Sequence, residues 1–203
     1  MLVNSAVRGL MSPFQGFLKR GFDVVGAAAA LMVLSPLITL VALTIKLDSH
    51  GPVFCRRKFY DLNDALFEAF EFRTAVWNTE DIRSNHANRN HGTTRMGRIL
   101  RRSGIDEIPH LINVLRGDMS LVGPHPLATA SGAAYRARIT PDRLRNVRPG
   151  IVSWAQVHRG RDGTILSISS RIEDDRYYLA NRSFLFDLKI LVLVLLLSST
   201  YTF

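Results

Sequence analysis

VVGAAAALMVLSPLITLVALTI, from Val24 to Ile45, is the stretch whose reading decides the architecture. Its 22 residues carry no charge, which meets the length expected of a membrane-crossing helix. The run is too long for a signal peptide, and no small-residue cleavage site follows before Lys46. Ser35-Pro36 sits at its centre. Proline removes a backbone donor and clashes with the preceding turn, so the helix should bend there. A serine hydroxyl can cover a carbonyl freed in this way. Two readings follow: a kinked helix that spans, or a helix–break–helix that enters and leaves by one face. Lys19 and Arg20 precede the run and Lys46 follows it. Cations at both ends favour cytoplasmic placement of both, which tips the reading towards the re-entrant form. A buried core helix of a soluble protein is the competing reading.

Outside this run the chain is basic and well supplied with apolar residues. With 203 residues it can bury one core. Its net charge of +9 suits an anionic partner, whether lipid head groups, a phosphorylated substrate or nucleic acid. Hydrophobic content of 47% excludes a disordered basic tail. The single cysteine, Cys55, excludes an internal disulfide and a multi-cysteine metal site. No aromatic-interleaved basic sheet or recognition helix is visible, so no nucleic-acid partner is expected.

After the apolar run, Gly51-Pro52 reads as a turn into a short strand at Val53-Phe54, and Phe67 to Phe72 as a second. Thr79 to Thr94 is a polar surface loop, with His86 and His91 solvated. Met119 to Val122 reads as a strand, Gly123-Pro124-His125-Pro126 as a rigid turn and Ser131 to Arg145 as an exposed helix. Ile151 to Val157 reads as a strand carrying Trp154 and Gln156, followed by a basic loop, and Ile172 to Asn181 as a helix. The apolar tail from Phe184 to Leu197 is interrupted by Asp187 and Lys189 and is too short to span. It reads as an interfacial or core-packed helix. The fold class is therefore α+β: a helix-rich, membrane-associated domain with a small sheet and a re-entrant N-terminal membrane helix. Residues 1–18 read as an N-terminal tail and 19–203 as one catalytic domain.

The chemistry concentrates at Ser103-Gly104-Ile105-Asp106-Glu107-Ile108-Pro109. Ser103 with Asp106 three places later has the form of a capping box, which puts Asp106 and Glu107 in the first turn of a helix that stops at Gly117. Arg95, Arg98, Arg101 and Arg102 fall on one helical face directly before the acids and form an anion-binding wall. A carboxylate can attack phosphorus and form an acyl phosphate. A second one can hold Mg²⁺. Together with the membrane helix, these pieces favour phosphoryl chemistry on a diphosphate at a bilayer surface. No Walker loop, zinc spacing or serine-hydrolase elbow competes.

Nearly the whole chain, from Lys19 on, resembles the bacterial sugar transferase family, the monotopic polyprenyl-phosphate phosphoglycosyl transferases. The resemblance is carried by Lys19-Arg20-x-Phe22-Asp23, Ser35-Pro36-Leu37, Gly51-Pro52-Val53-Phe54 and Phe72-Arg73-Thr74. It continues through Arg101-Arg102-Ser103-x-Ile105-Asp106-Glu107-x-Pro109, Gly117-Asp118-Met119-Ser120-x-Val122-Gly123-Pro124, Pro149-Gly150-Ile151 and Trp154-Ala155-Gln156-Val157. It covers the catalytic core of undecaprenyl-phosphate glucose and galactose phosphotransferases, without the large N-terminal region of the family's long members.

The resemblance implies transfer of a sugar 1-phosphate from a UDP-sugar to undecaprenyl phosphate with release of UMP, initiating exopolysaccharide or O-antigen assembly. It implies Asp106 as the nucleophile and Glu107 as the Mg²⁺ ligand. Arg101 and Arg161 would contact the donor's phosphates, with Arg73, Arg102 and His125 completing the substrate-binding set. Ser35-Pro36 matches the break of the family's membrane helix. The implied location is the cytoplasmic face of the bacterial inner membrane, in contact with the lipid bilayer, and the pattern leaves room for a homodimer. The chain departs from the family's pattern at His125, where the family carries arginine. It also departs at Arg57-Lys58-Phe59-Tyr60-Asp61 in place of Gln-x-Arg-x-Gly, at Glu71 in place of lysine, and at Gly104 in place of serine. These departures motivate a second reading, a weak or inactive membrane scaffold of the same fold.

Overall fold

The computed structural model describes residues 13–61, 65–77, 92–128, 147–159 and 168–200. Helix α1 runs from Pro13 to Asp48, so it takes in the last six residues of the segment read as a tail. Proline suits a first helical position, where its missing donor has no partner to lose. By length and composition α1 could cross a membrane. Lys19, Asp23, Ala27, Val41 and Ile45 are buried, and Leu31, Leu34, Leu37 and Ile38 are half-buried between them. Their three- and four-residue spacing draws one continuous stripe, so α1 lies along the body over most of its length. Val25, Met32, Val33, Leu40, Leu43 and Leu47 are exposed and leave the opposite face apolar.

The break expected at Ser35-Pro36 is absent, because α1 continues through Pro36. Pro36 cannot donate to the carbonyl of Met32, and Ser35 Oγ donates to that carbonyl instead, at 2.8 Å. Thr39 Oγ1 adds a bond to the carbonyl of Ser35 at 2.9 Å. The freed acceptor is thus satisfied within the helix.

Strand β1 (Phe54–Tyr60) pairs antiparallel with β2 (Leu66–Phe72), Cys55 opposite Glu71 and Phe59 opposite Phe67. Helix α2 spans Arg95–Ser103, a one-turn 3-10 helix Ile105–Glu107, and α3 His110–Arg116, which ends at Gly117 as expected. Strand β3 is Ser120–Val122, and β4 (Leu127–Ala128) joins the far side of β1 to give the order β2-β1-β4. That order leaves β2 as an edge, which needs partners for its backbone. Asn113 of α3, fully buried, supplies them. Its Oδ1 accepts from the Phe70 amide at 2.9 Å, and its Nδ2 donates to the Glu68 carbonyl at 2.7 Å.

The strand expected over Ile151 to Val157 is shorter. β5 is only Gly150–Val152, parallel to β3, and Trp154 and Gln156 lie on helix α4 (Trp154–Arg159). Gln156 Oε1 accepts from the Ser153 amide at 2.8 Å, as the reciprocal arm of a capping box does. The expected helix at Ser131 to Arg145, most of the Thr79 to Thr94 loop, and the basic loop beyond Arg159 lie outside the described residues.

Helices α5 (Ile168–Asn181) and α6 (Phe184–Thr200) complete the fold. α6 buries Asp187 and Ile190 and exposes Leu185, Leu188, Val192 and Leu196. Asp187 is the partner of Lys19, which is therefore buried rather than a solvated flank of the apolar run. Lys19 Nζ lies 2.5 Å from Asp187 Oδ2 and donates to the Val122 carbonyl at 3.0 Å. Tyr178 OH donates to Asp187 Oδ1 at 2.8 Å. Removing one partner of such a pair strands a buried charge, so Lys19→Met should destabilise the protein by about 3–5 kcal/mol. Denaturant unfolding in detergent micelles measures this, and adding Asp187→Leu should restore most of the loss. Equal stability of Lys19→Met and wild type would show that the pair contributes nothing.

Candidate active site

The Asp106-Glu107 pair is set by how α2 starts and stops. Thr94 caps its start, its hydroxyl accepting from the Gly97 amide at 2.9 Å. Gly104, in the left-handed region at φ 70°, ends it. Ser103 is therefore the last residue of α2 and not the cap of a following helix; its hydroxyl donates back to the carbonyls of Ile99 and Leu100, each at 3.0 Å. The two acids fall instead in the one-turn 3-10 helix between α2 and α3, both half-buried.

Burial pushes the Asp106 carboxyl up to about 6, and the neighbouring Glu107 and Glu71 charges add to the rise. Its own backbone N–H and the Arg101 guanidinium oppose it. A carboxylate of raised basicity is a stronger nucleophile, and at neutral pH it is still mostly ionised. Glu71, on the hairpin, is buried and held as an anion. Burial pushes its carboxyl up, but His110 Nε2 at 3.6 Å and Arg57 Nη1 at 3.5 Å outweigh this and leave it below the ordinary range. Cys55 lies on the same strand pair. Burial first, then Glu71, pushes its thiol up to about 11, so it stays protonated and inert.

Arg101 is held from β2's end: its Nε donates to Thr74 Oγ1 at 2.8 Å and its Nη1 to Thr93 Oγ1 at 3.4 Å. The approach of α2 to Thr74 requires Gly97, because a Cβ there would collide with the Thr74 carbonyl.

The sequence profile of the bacterial sugar transferase family matches residues 14–198, most of the chain and all of this site. The chain belongs to the bacterial sugar transferase family. It is 37% identical over 187 residues to the UDP-glucose:undecaprenyl-phosphate glucose-1-phosphate transferase of Escherichia coli (strain K12), covering 90% of this chain and 40% of that protein. It is 43% identical over 178 residues to a Caulobacter vibrioides protein of the same name, covering 86% and 67%. It is 35% identical over 182 residues to the exopolysaccharide production protein PSS of Rhizobium leguminosarum bv. phaseoli, covering 86% and 91%. The chain thus spans less than half of the Escherichia coli protein.

In this family member the expected binding residues do not all gather at the acids. Arg101 does. Arg102 is on the exposed face of α2. Arg73 is buried and directed elsewhere: its guanidinium donates to the carbonyls of Ile45 at 3.2 Å, Ser49 at 2.7 Å and His50, closing the end of α1. These three carbonyls, one in the last turn of α1 and two just beyond it, direct Arg73 away from the acids. His125 precedes β4, which pairs with the far end of β1 at Phe59 and Tyr60. From Cys55, which feels the Asp106 charge, to Tyr60 is about 17 Å along a strand. Arg171 donates to the His125 carbonyl at 2.9 Å and fixes that turn. Arg161 lies outside the described residues.

A cavity of about 570 Å³ opens elsewhere, between the start of α1 and the hairpin tip, lined by Lys19, Arg20, Asp61, Asp118, Arg148 and Arg182 among others. Of the residues around the dyad, sequence reading passed over His110, and it met Arg57 only as a departure from the family's pattern and Thr74 only as part of Phe72-Arg73-Thr74. Two-residue periodicity puts Cys55 and Arg57 on the face of Glu71, a signal readable once the hairpin register is known. Gly97→Ala should push α2 off Thr74 and destabilise the protein by about 1–3 kcal/mol in denaturant unfolding. Wild-type stability in that variant would refute the close contact.

Proposed function

We propose that this chain transfers a sugar 1-phosphate from a UDP-sugar to undecaprenyl phosphate, the first step of a polysaccharide assembly of the exopolysaccharide or O-antigen kind. The observation that carries the reading is the half-buried Asp106, of raised basicity, beside Glu107 and a fixed Arg101 in a chain of this family. The printed names of the relatives support the substrate pair.

An Asp106 carboxylate oxygen attacks the sugar-bearing phosphorus of the donor. The new P–O bond forms as the bridging P–O bond breaks, and UMP leaves with the electron pair. An oxygen of undecaprenyl phosphate then attacks the same phosphorus, the aspartyl P–O bond breaks, and the carboxylate is restored. Arg101, anchored through Nε and one Nη, is positioned to meet phosphate oxygens.

Mg²⁺ keeps most of its waters and binds through one or two carboxylates plus substrate phosphates. Two adjacent half-buried carboxylates, with no third metal-ligating group among the described residues, fit that requirement. Glu107 with Asp106 would hold the ion. When bound, it neutralises diphosphate charge and eases departure of UMP.

The apolar outer face of α1 rests in the cytoplasmic leaflet of the inner membrane, with both ends of the helix on the cytoplasmic side. Support comes from the stripe running from Lys19 to Ile45, which keeps both halves of α1 against one body. A helix held by one body along this length does not deliver its ends to opposite faces of a bilayer.

Membranes or purified protein supplied with UDP-glucose or another UDP-sugar, Mg²⁺ and undecaprenyl phosphate should release UMP. Asp106→Asn should lower the rate on the order of 10⁴-fold, as loss of a covalent nucleophile does. Chelation of divalent cations should stop wild-type release. Absence of UMP release from every UDP-sugar tested would sink the reading. Tags at either end of the chain should label only from the cytoplasm; periplasmic labelling of the N-terminal tag would favour a spanning helix.

A further inference from the structure

The hairpin face that looks towards the acids contains a closed ring of four side chains. Arg57 Cζ stands 5.2 Å from the centroid of the Phe59 ring. Phe59 meets His110 edge-on at 6.3 Å between ring centroids. His110 Nε2 lies 3.6 Å from Glu71 Oε1, and Glu71 Oε1 lies 3.5 Å from Arg57 Nη1. Phe59, His110 and Glu71 are buried, whereas the Arg57 side chain is 29% exposed. The guanidinium is therefore fixed on one side by an aromatic face and on another by a carboxylate, with a further edge reaching solvent.

The electrostatics of the place give that edge a use. Asp106 feels the negative charges of both Glu107 and Glu71. A nucleotide-sugar diphosphate approaching them meets like charge and needs cations to offset it. Arg101 supplies one. Among the described residues, Arg57 is the guanidinium paired with Glu71, and an arginine carries five donors, of which the long contact to Glu71 engages one. Stacking on Phe59 and pairing with Glu71 remove most of the entropy that ordering a long side chain on a ligand would otherwise cost.

We propose that Arg57 is a donor-binding residue, which holds the diphosphate of the nucleotide-sugar against the dyad while Glu71 and Phe59 hold its guanidinium in place. The inference rests on the proposed function and adds to it a residue with a stated ligand atom class, the phosphate oxygens of the donor.

The test measures UMP release by the full chain in detergent or nanodiscs, with UDP-sugar and undecaprenyl phosphate titrated separately. Arg57→Gln should raise the donor KM by about tenfold or more, the scale of one charge-assisted hydrogen bond, and leave the undecaprenyl phosphate KM within about twofold. Arg57→Lys keeps the charge but loses the planar fork, and its donor KM should lie between the two. The double variant Arg57→Gln/Glu71→Gln separates the roles. If Arg57 merely neutralises Glu71, removing both charges returns the donor KM to the wild-type value; if it binds the donor, the KM stays raised. An unchanged donor KM in Arg57→Gln, or recovery in the double variant, overturns the inference while leaving the proposed function standing. Should Arg57→Gln fail to fold, an unchanged donor KM in Arg57→Lys overturns it equally. A wild type that releases no UMP from any donor overturns the function and the inference together.

Discussion

The end of the long apolar helix is the constraint on which the site depends. The buried Arg73 guanidinium gathers the carbonyl of Ile45, in the last turn of α1, with those of Ser49 and His50 just beyond it. The residues on either side of Arg73 use the same point to set everything else. Phe72 fills the core with Val41, Ile45 and Leu100, and Thr74 receives Arg101 and the close approach of Gly97. The order helix end, hairpin, α2 and dyad is thus transmitted through three consecutive residues. Arg73 is not a cation to spare for a ligand, because turning to one would break its bonds to the carbonyls of Ile45, Ser49 and His50.

Much of this was legible in the sequence. The length of the apolar run, the stop at Gly117, the strand at Phe67 to Phe72 and the adjacency of Asp106 and Glu107 all follow from local pattern, whereas the first strand, expected at Val53-Phe54, runs on to Tyr60. What was not legible came from partners far apart along the chain. Lys19 has the look of a basic flank and Asp187 of an interruption in an apolar tail; only their meeting makes both intelligible. Local competition misled the reading at Ser103, where capping spacing is correct but Gly104 in the left-handed region ends α2 first. At Ser153 the opposite happened: the capping pair with Gln156 was present, and the apolar run around it favoured a strand. Arg161, at which the resemblance places a phosphate contact, falls outside the described residues.

Three of the positions at which the chain departs from its family's pattern, Arg57, Phe59 and Glu71, touch one another or share a neighbour in a single ring. Read one at a time they are a gained charge, a lost charge and a reversed charge. Read together they are a rearrangement in which an anion on β2 is answered by a cation on β1, packed over an aromatic ring. A buried carboxylate without such an answer costs several kcal/mol, on the order of the penalty for one stranded ion.

The pairing of Lys19 with Asp187 also sets an order of events during synthesis. Their separation is 168 residues. At 5–20 residues per second the lysine waits roughly 8–34 s for its partner to be made. During that interval α1 has its apolar face and a cation that the finished protein buries, yet no carboxylate to receive it. A membrane surface can hold a helix in that state, since the apolar face rests among acyl chains while the lysine stem reaches the head groups. Of the described helices α6 is translated last, so the carboxylate that receives Lys19 arrives only with it.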